Sequence, residues 1–126
     1  MEENKLYLTA VRDFVAGVSK PRSPQWPKVE KAHLEVQPVC ACCGSKVHLN
    51  VHHIMPFHLH PELELDPTNL ITLCMDPARE CHLKIGHGDN FVDYNPNVIE
   101  DVAKLKSNMA LFESVAEEAK TNRLAQ

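Results

Sequence analysis

Metal-binding side chains crowd into one stretch of the sequence. All five cysteines and seven of the eight histidines of this 126-residue chain lie between positions 40 and 87. Thiolates and neutral imidazoles are ligands that zinc and other transition metals prefer. Along the chain these residues separate into a set of cysteines and a set of histidines, which predicts two metal sites of different kinds.

The cysteines form two pairs. Cys40 and Cys43 have the two-residue spacer that turns both sulfurs toward one ion, and Cys74 and Cys81 follow later in the chain. Reduced thiols inside a cell serve as metal ligands rather than as disulfides. We therefore expect one structural zinc ion held by all four. Residues 75–80 separate the second pair and predict an inserted loop, and Cys42 is expected to be a free thiol.

The histidines supply a second type of chemistry. His52 and His53 are adjacent where a short strand is expected to end. One neutral imidazole can bind a divalent ion, while its neighbour, with an ordinary pKa of about 6.5, can take a proton from water. A metal ligand beside a general base is what metal-assisted hydrolysis of a phosphodiester requires. Four other histidines are expected to be solvated or structural: His33, His48, His58 and His60.

Two strands and a helix are expected to position these side chains. Alternating apolar residues at positions 47–51 predict a half-buried strand, and a second strand follows at 70–73. Prolines make residues 55–68 an irregular connection. A helix that begins near Cys81 and His82 would complete a strand, loop, strand, helix unit.

Helices are expected on both sides of this unit. Amphipathic spacing predicts one helix over residues 5–18 and a second from Ser23 or Trp26 to Val36. After Val98 an unbroken heptad-like spacing predicts one long C-terminal helix, with its apolar face formed by Val102, Leu105, Met109, Phe112, Ala116 and Ala119. This face is expected to pack on the core, and self-association is the alternative.

The order of these motifs resembles the HNH endonuclease family. The motifs are Val51-His52-His53-Ile54, then Asn69-Leu70 leading to Leu73-Cys74, then Cys81-His82, bracketed by the cysteine pairs. The resemblance covers about residues 24–97. It implies an α+β fold in one domain, with N-terminal helices at 1–36, a zinc-stapled ββα-metal core at 37–90 and a C-terminal helix at 91–126.

Carried onto this sequence, the resemblance implies a role for each residue. His53 would be the general base, oriented by Asn69, and His52 and His82 would hold a catalytic Mg²⁺, Mn²⁺ or other divalent ion. The inserted loop shifts His82 along the chain, so His87 is a rival or additional ligand. The structural zinc ligands of the family match Cys40, Cys43, Cys74 and Cys81.

Charge and hydropathy restrict the partners. The formal net charge of −4 argues against a protein that binds nucleic acid over its whole surface, although residues 19–60 have a net charge of +3. The first candidates for contacting DNA phosphates are Lys20, Arg22, Lys28 and Lys31. No apolar run is long enough for a signal peptide or a membrane span. We therefore expect a cytoplasmic protein of a bacterium or a phage-infected cell.

Two other functions fit the same motifs. A zinc-stabilised module could bind nucleic acid or protein without catalysis, and then the cysteines would matter but the histidines would not. The same site could also cleave RNA, because its chemistry does not distinguish RNA from DNA. The sequence leaves open the cleavage specificity, the oligomeric state and whether the protein works in a larger nuclease, packaging or restriction assembly.

Overall fold

The computed structural model describes residues 21–125. Its regular elements are, in chain order, helix α1, strands β1 and β2, and helices α2 and α3, which span Trp26–Val36, Leu49–His53, Leu70–Cys74, Val98–Ser107 and Phe112–Leu124. Short helical turns lie at Pro61–Leu63, Pro67–Asn69, His82–Gly86 and Met109–Leu111. The helix predicted over residues 5–18 and the candidate Lys20 lie outside the described residues.

β1 and β2 form an antiparallel hairpin. Leu49 pairs with Cys74 and His53 pairs with Leu70. One end of the hairpin therefore carries Cys74, and the other carries the adjacent His52 and His53. β1 starts later than the alternation predicts, because His48 has a left-handed backbone conformation with φ of 50°. The predicted mixture of helices with two strands is confirmed.

The helix expected to begin near Cys81 and His82 is a single π-helical turn, His82–Gly86. The amide of His87 donates to the carbonyl of His82 at 3.1 Å, which is the hydrogen-bond spacing of a π-helix. An α-helix would place residues five apart about 140° from each other. The wider π turn instead brings His82 and His87 to one side.

Asn95 holds this turn in place. Its fully buried side chain donates through Nδ2 to the carbonyl of Ile85 at 3.0 Å, and its amide donates to the carbonyl of Gly86 at 3.0 Å. Nδ2 also donates to Asp101 Oδ2 in α2 at 2.7 Å. These bonds give partners to carbonyls at the end of a turn that does not continue as a helix.

The predicted long C-terminal helix is in fact two helices. α2 ends at Ser107, and Asn108 has an extended backbone, with φ of −158°. Its Oδ1 accepts a hydrogen bond from the amide of Ala110 at 3.1 Å, which is how an asparagine caps the start of a new helical turn. The expectation of one unbroken helix is therefore wrong.

The apolar face of α2 and α3 nevertheless packs as predicted. Buried residues of both helices join β2 and the π turn in one hydrophobic cluster that includes Ile71, Leu73, Ile85, Val102, Leu105 and Phe112. The interior location of this face favours packing on the core over self-association. None of the helices within residues 21–125 has the length and the hydropathy needed to cross a membrane.

Candidate metal centres and active-site cleft

Four cysteine sulfurs converge at one end of the hairpin. Their Sγ atoms all lie within 4.8 Å of one another, and the four residues are Cys40, Cys43, Cys74 and Cys81. Those of Cys43 and Cys74 are 3.6 Å apart. A tetrahedron with Zn–S bonds of about 2.3 Å has edges of about 3.8 Å. The cluster therefore has the donor atoms and the dimensions of a structural zinc site.

The inserted loop at residues 75–80 returns the chain to this cluster. Asp76 closes the loop, because Oδ1 accepts from the amide of Ala78 at 3.0 Å and Oδ2 accepts from the Ser45 hydroxyl at 2.9 Å. The long spacer thus keeps Cys81 beside Cys74. Cys42 is also buried, but it is not in the converging set.

The cluster needs a cation to become fully ionised. Hydrogen bonding from Cys81 lowers the pKa of Cys40 to about 5. Burial raises the pKa of the Cys43 thiol to about 12, and hydrogen bonding to Cys40 raises the pKa of Cys81. Of these three thiols, that of Cys40 therefore ionises most readily. A zinc ion would deprotonate the coordinating thiols and neutralise their charge.

Three imidazoles form a second cluster. His52 comes from β1, His82 begins the π turn and His87 follows its end, and each offers a nitrogen within 4.8 Å of the others. The ring centroids are 5.0 Å apart for His52 and His82, 4.7 Å for His52 and His87, and 4.8 Å for His82 and His87. The structure therefore brings both downstream histidines to His52 rather than selecting one of them.

Hydrogen bonds determine which nitrogens of this cluster can bind an ion. His82 Nδ1 donates to Asn50 Oδ1 at 3.0 Å, and His87 Nδ1 donates to the carbonyl of Asp93 at 2.6 Å. Both neutral rings therefore present a lone pair at Nε2, and these two atoms face each other at 3.2 Å. Two lone pairs repel at this distance unless a cation lies between them. An ion with bonds of about 2.0 Å to nitrogen separates tetrahedral ligands by about 3.3 Å.

His52 lies deepest in this cluster. It is 2% exposed, and its Nε2 has no hydrogen-bond partner within the described part of the chain. Burial of an unpaired polar atom is costly, and a bound ion would remove that cost. Burial also lowers the pKa of His52 well below its usual value and lowers the pKa of His82 to about 3. The rings are therefore neutral, which is the form that binds metal.

His53 is a buried histidine of β1 that lies outside this converging set. Its Nε2 donates to the carbonyl of Glu64 at 2.9 Å, so Nδ1 holds the lone pair. The ring packs against Trp26, with centroids 4.5 Å apart. Burial, and to a smaller extent the nearby guanidinium of Arg22, lower the pKa of His53. The ring is consequently neutral and able to accept a proton near neutral pH.

Asn69 positions the loop that holds His53. Its Oδ1 accepts from the amide of Met55 at 2.8 Å, and its Nδ2 donates to the carbonyls of Met55 at 3.1 Å and Leu63 at 3.2 Å. These bonds tie the chain just after His53 to the residue before Glu64, whose carbonyl anchors the His53 ring. These Asn69 bonds therefore position His53 through the backbone and not through its ring.

The histidines open onto a cleft with a volume of about 220 Å³. Arg22 lies in its wall, with its guanidinium 4.3 Å from the ring centroid of Phe57 and 3.9 Å from Glu64 Oε2. The half-exposed Phe91 contacts the rings of His82 and His87, at centroid distances of 5.4 and 5.0 Å. The three converging imidazoles, His53 and a cationic side chain thus share one cleft.

A comparison with family models gives a match over the segment that holds both clusters. Residues 40–88 match the HNH endonuclease model, and we refer to them as the HNH segment. The resemblance indicated by the sequence motifs is therefore confirmed. No curated protein and no solved structure gives a significant match to this chain.

Not all of the predicted site residues lie in the HNH segment. Of the basic candidates outside it, Arg22 lines the cleft, whereas Lys28 and Lys31 are exposed on α1 and are not among the residues that line it. His58, for which a solvated or structural role was expected, is partly buried and lines the cleft together with the other histidines. It belongs to the loop that follows β1.

Sequence reasoning missed the residues that orient the clustered imidazoles. Asn50 and Asp93 set the tautomers of the two downstream imidazoles, and Asn95 holds the π turn. Asn50 follows the predicted alternation beside His52, so it carried a weak signal. Asp93 acts through its backbone carbonyl, which no residue type can reveal.

Gly86→Ala is expected to weaken ion binding by the imidazole cluster. A Cβ at this position would lie 3.0 Å from Leu73 Cδ1 and 3.2 Å from His52 Cε1. Both neighbours are buried, so the added methyl group would push the His52 ring away from the cluster. We expect the affinity for Mn²⁺ or Zn²⁺ to fall by about tenfold or more, measured by calorimetric titration of protein whose thiol cluster already holds zinc. Unchanged affinity would show that the His52 ring is not confined by Gly86.

Proposed function

We propose that this protein is a metal-dependent endonuclease that hydrolyses phosphodiester bonds of DNA. The observation that supports this most strongly is the pair of Nε2 lone pairs of His82 and His87, which face each other at 3.2 Å. They lie in the same cleft as His53, whose Nδ1 is available as a base. A module that only binds would gain nothing from buried, mutually repelling ring nitrogens.

The proposed roles follow from the hydrogen bonds of each ring. His52, His82 and His87 hold one divalent ion, and three protein ligands leave a coordination position open, as catalytic sites do. The bound ion supplies charge stabilisation at the scissile phosphate and the leaving oxygen. His53 takes a proton from the attacking water through Nδ1, while the Glu64 carbonyl fixes its opposite edge.

The donor atoms favour a transition metal at the imidazole cluster. Within residues 21–125, its converging groups are three imidazole nitrogens without a carboxylate. Imidazole suits zinc, nickel and related ions, whereas Mg²⁺ demands oxygen ligands and keeps its waters. We therefore expect Mn²⁺, Ni²⁺ or Zn²⁺ to support cleavage better than Mg²⁺. Zinc in the thiol cluster has a structural role, because four protein ligands leave it no open position.

Arg22 is the best placed contact for the substrate. Its guanidinium matches the geometry of a phosphate, and it lines the cleft at the place where Phe57 and Glu64 hold it. Lys20, Lys28 and Lys31 would bind flanking phosphates, a contribution that weakens with salt. Such contacts do not read bases.

The setting of this activity is also part of the proposal. Because phosphate contacts alone give no site selection, cleavage at a defined site would come from a partner in a larger nuclease, packaging or restriction assembly. The free thiols suit a reducing compartment. We place the protein in the cytoplasm of a bacterium or a phage-infected cell.

Cleavage of supercoiled plasmid DNA, with an RNA of similar length in parallel, tests the proposal. The wild type is assayed with Mn²⁺, Ni²⁺, Zn²⁺ and Mg²⁺, and beside it His82→Ala and His87→Ala. We expect ion-dependent cleavage of DNA that both substitutions strongly reduce. Preferential cleavage of RNA would reassign the substrate. DNA binding without cleavage under every ion would contradict the nuclease proposal and support the non-catalytic module.

A further inference from the structure

Arg123 in α3 joins the C-terminal helix to the loop that follows the π turn. Its Nε donates to the carbonyl of Gly88 at 2.8 Å, and its Nη1 donates to Asp93 Oδ2 at 3.1 Å. Its side chain is only 13% exposed, against 49% for that of Asp93. Enclosure of this kind makes an ion pair with good hydrogen-bond geometry more effective than an open surface pair.

The same loop lies directly against the backbone of α3. Gly88 has a left-handed φ of 61°, and a Cβ on it would lie 2.6 Å from the carbonyl oxygen of Ala119. A side chain has no room there. The helix and the loop are therefore in close contact at Gly88, and Arg123 clamps the loop at Gly88 and at Asp93.

Asp93 connects the clamp to the imidazole cluster. Its carbonyl accepts the hydrogen bond from His87 Nδ1 at 2.6 Å, while its carboxylate receives Arg123. The carbonyl can accept but cannot donate, so its position decides that the proton of His87 lies on Nδ1 and the lone pair on Nε2. Movement of Asp93 would free the ring to turn and to change tautomer.

We propose that Arg123 is a positioning residue that fixes the tautomer and the direction of His87, and thereby sets the ion affinity of the imidazole cluster. This inference rests on the proposed ion site, and it extends that site beyond the HNH segment, which ends at residue 88. Groups that orient a metal-ligating histidine typically change metal affinity by about 10–100-fold when they are removed.

Arg123→Gln tests this role, with Lys120→Gln as the matched control. Lys120 lies in the same helix and pairs with Asp89 of the same loop at 3.8 Å, but the loop residue it reaches is not the one that holds His87. Nitrogen–proton correlation spectra at neutral pH, before a second ion is added, report the tautomer of each histidine. Calorimetric titration with Mn²⁺ or Ni²⁺ then reports affinity.

We expect the wild type and Lys120→Gln to show His87 with its proton on Nδ1 and to bind the ion equally well within about twofold. Arg123→Gln is expected to show a mixture of His87 tautomers and an affinity lower by about tenfold or more. Arg123→Lys, which keeps the charge but loses the two-pronged contact, should lie between them. An unchanged tautomer together with unchanged affinity in Arg123→Gln would overturn the inference.

A second variant separates this role from a general loss of folding. If Arg123→Gln does not keep its zinc and its cooperative melting, Asp93→Asn is measured instead. This substitution removes the charge that Arg123 contacts but retains the backbone carbonyl that His87 uses. The same shift of tautomer and affinity is expected, and its absence contradicts the inference. A wild type that binds no second ion would contradict the nuclease proposal. The effect of Arg123 on the tautomer of His87 would still be measurable, because the tautomer spectrum needs no second ion.

Discussion

His53→Ala is expected to reduce DNA cleavage by about 10²–10⁴-fold, the usual contribution of a general base, and to leave ion binding within about twofold of the wild type. The reason is geometric. His53 Nε2 is bonded to the Glu64 carbonyl and the ring packs on Trp26, so His53 contributes no atom to the converging imidazole nitrogens. Single-turnover cleavage of a labelled duplex and calorimetric ion titration measure the two effects separately.

His33→Ala is the matched control for this substitution. His33 is a partly buried histidine of α1 that bonds to Gln37 at 3.2 Å and does not line the cleft. We expect it to retain the cleavage rate of the wild type. If His53→Ala cleaved as fast as His33→Ala, His53 would not be the base. If His53→Ala instead lost the ion, His53 would belong to the ligand set.

Cys43→Ser is expected to cause the largest loss of stability of any single substitution at the clusters. Cys43 is less buried than its three partners, so little packing is lost and the effect reports the metal. Binding of structural zinc contributes an apparent free energy of about 10–16 kcal/mol to the folding of small zinc-binding peptides. A small domain has a net stability of about 5–15 kcal/mol. Loss of the ion should therefore unfold the chain.

Zinc content and thermal unfolding followed by circular dichroism measure this effect. Cys42→Ala is the control, because Cys42 is a buried cysteine of the same turn outside the converging set. It should retain one tightly bound zinc ion per chain and a cooperative transition. A folded, zinc-free Cys43→Ser protein would contradict a structural role for the thiol cluster. Loss of zinc in Cys42→Ala would place Cys42 among the ligands.

The parts that the sequence predicts well depend on local patterns. Alternating apolar residues identify β1, a short and mostly apolar run identifies β2, and the spacing of Cys40 and Cys43 identifies a metal-binding turn. Each of these signals lies within a few residues. The break between α2 and α3 also had a local signal. Asn108 is a preferred capping residue, but the heptad spacing that continues across it concealed the break.

The parts that could not be predicted depend on contacts between distant residues. The five-residue separation of His82 and His87 suits one ion only in a π turn, and that turn depends on Asn95 bonding to two of its carbonyls. The direction of the His87 ring depends on Asp93 and on Arg123. Arg123 also bonds to Gly88, which lies 35 residues earlier in the chain. No short-range periodicity encodes such partners.

Anomalous X-ray diffraction from crystals of the zinc-loaded protein soaked in Mn²⁺ tests the central claim most directly. We expect a manganese peak in the cleft, at about 2.0–2.3 Å from one nitrogen each of His52, His82 and His87, and a separate zinc peak among the four cysteines. His53 should lie beside the manganese site without binding the ion. Manganese bound elsewhere, or an imidazole cluster without an ion at saturating Mn²⁺, would contradict the account.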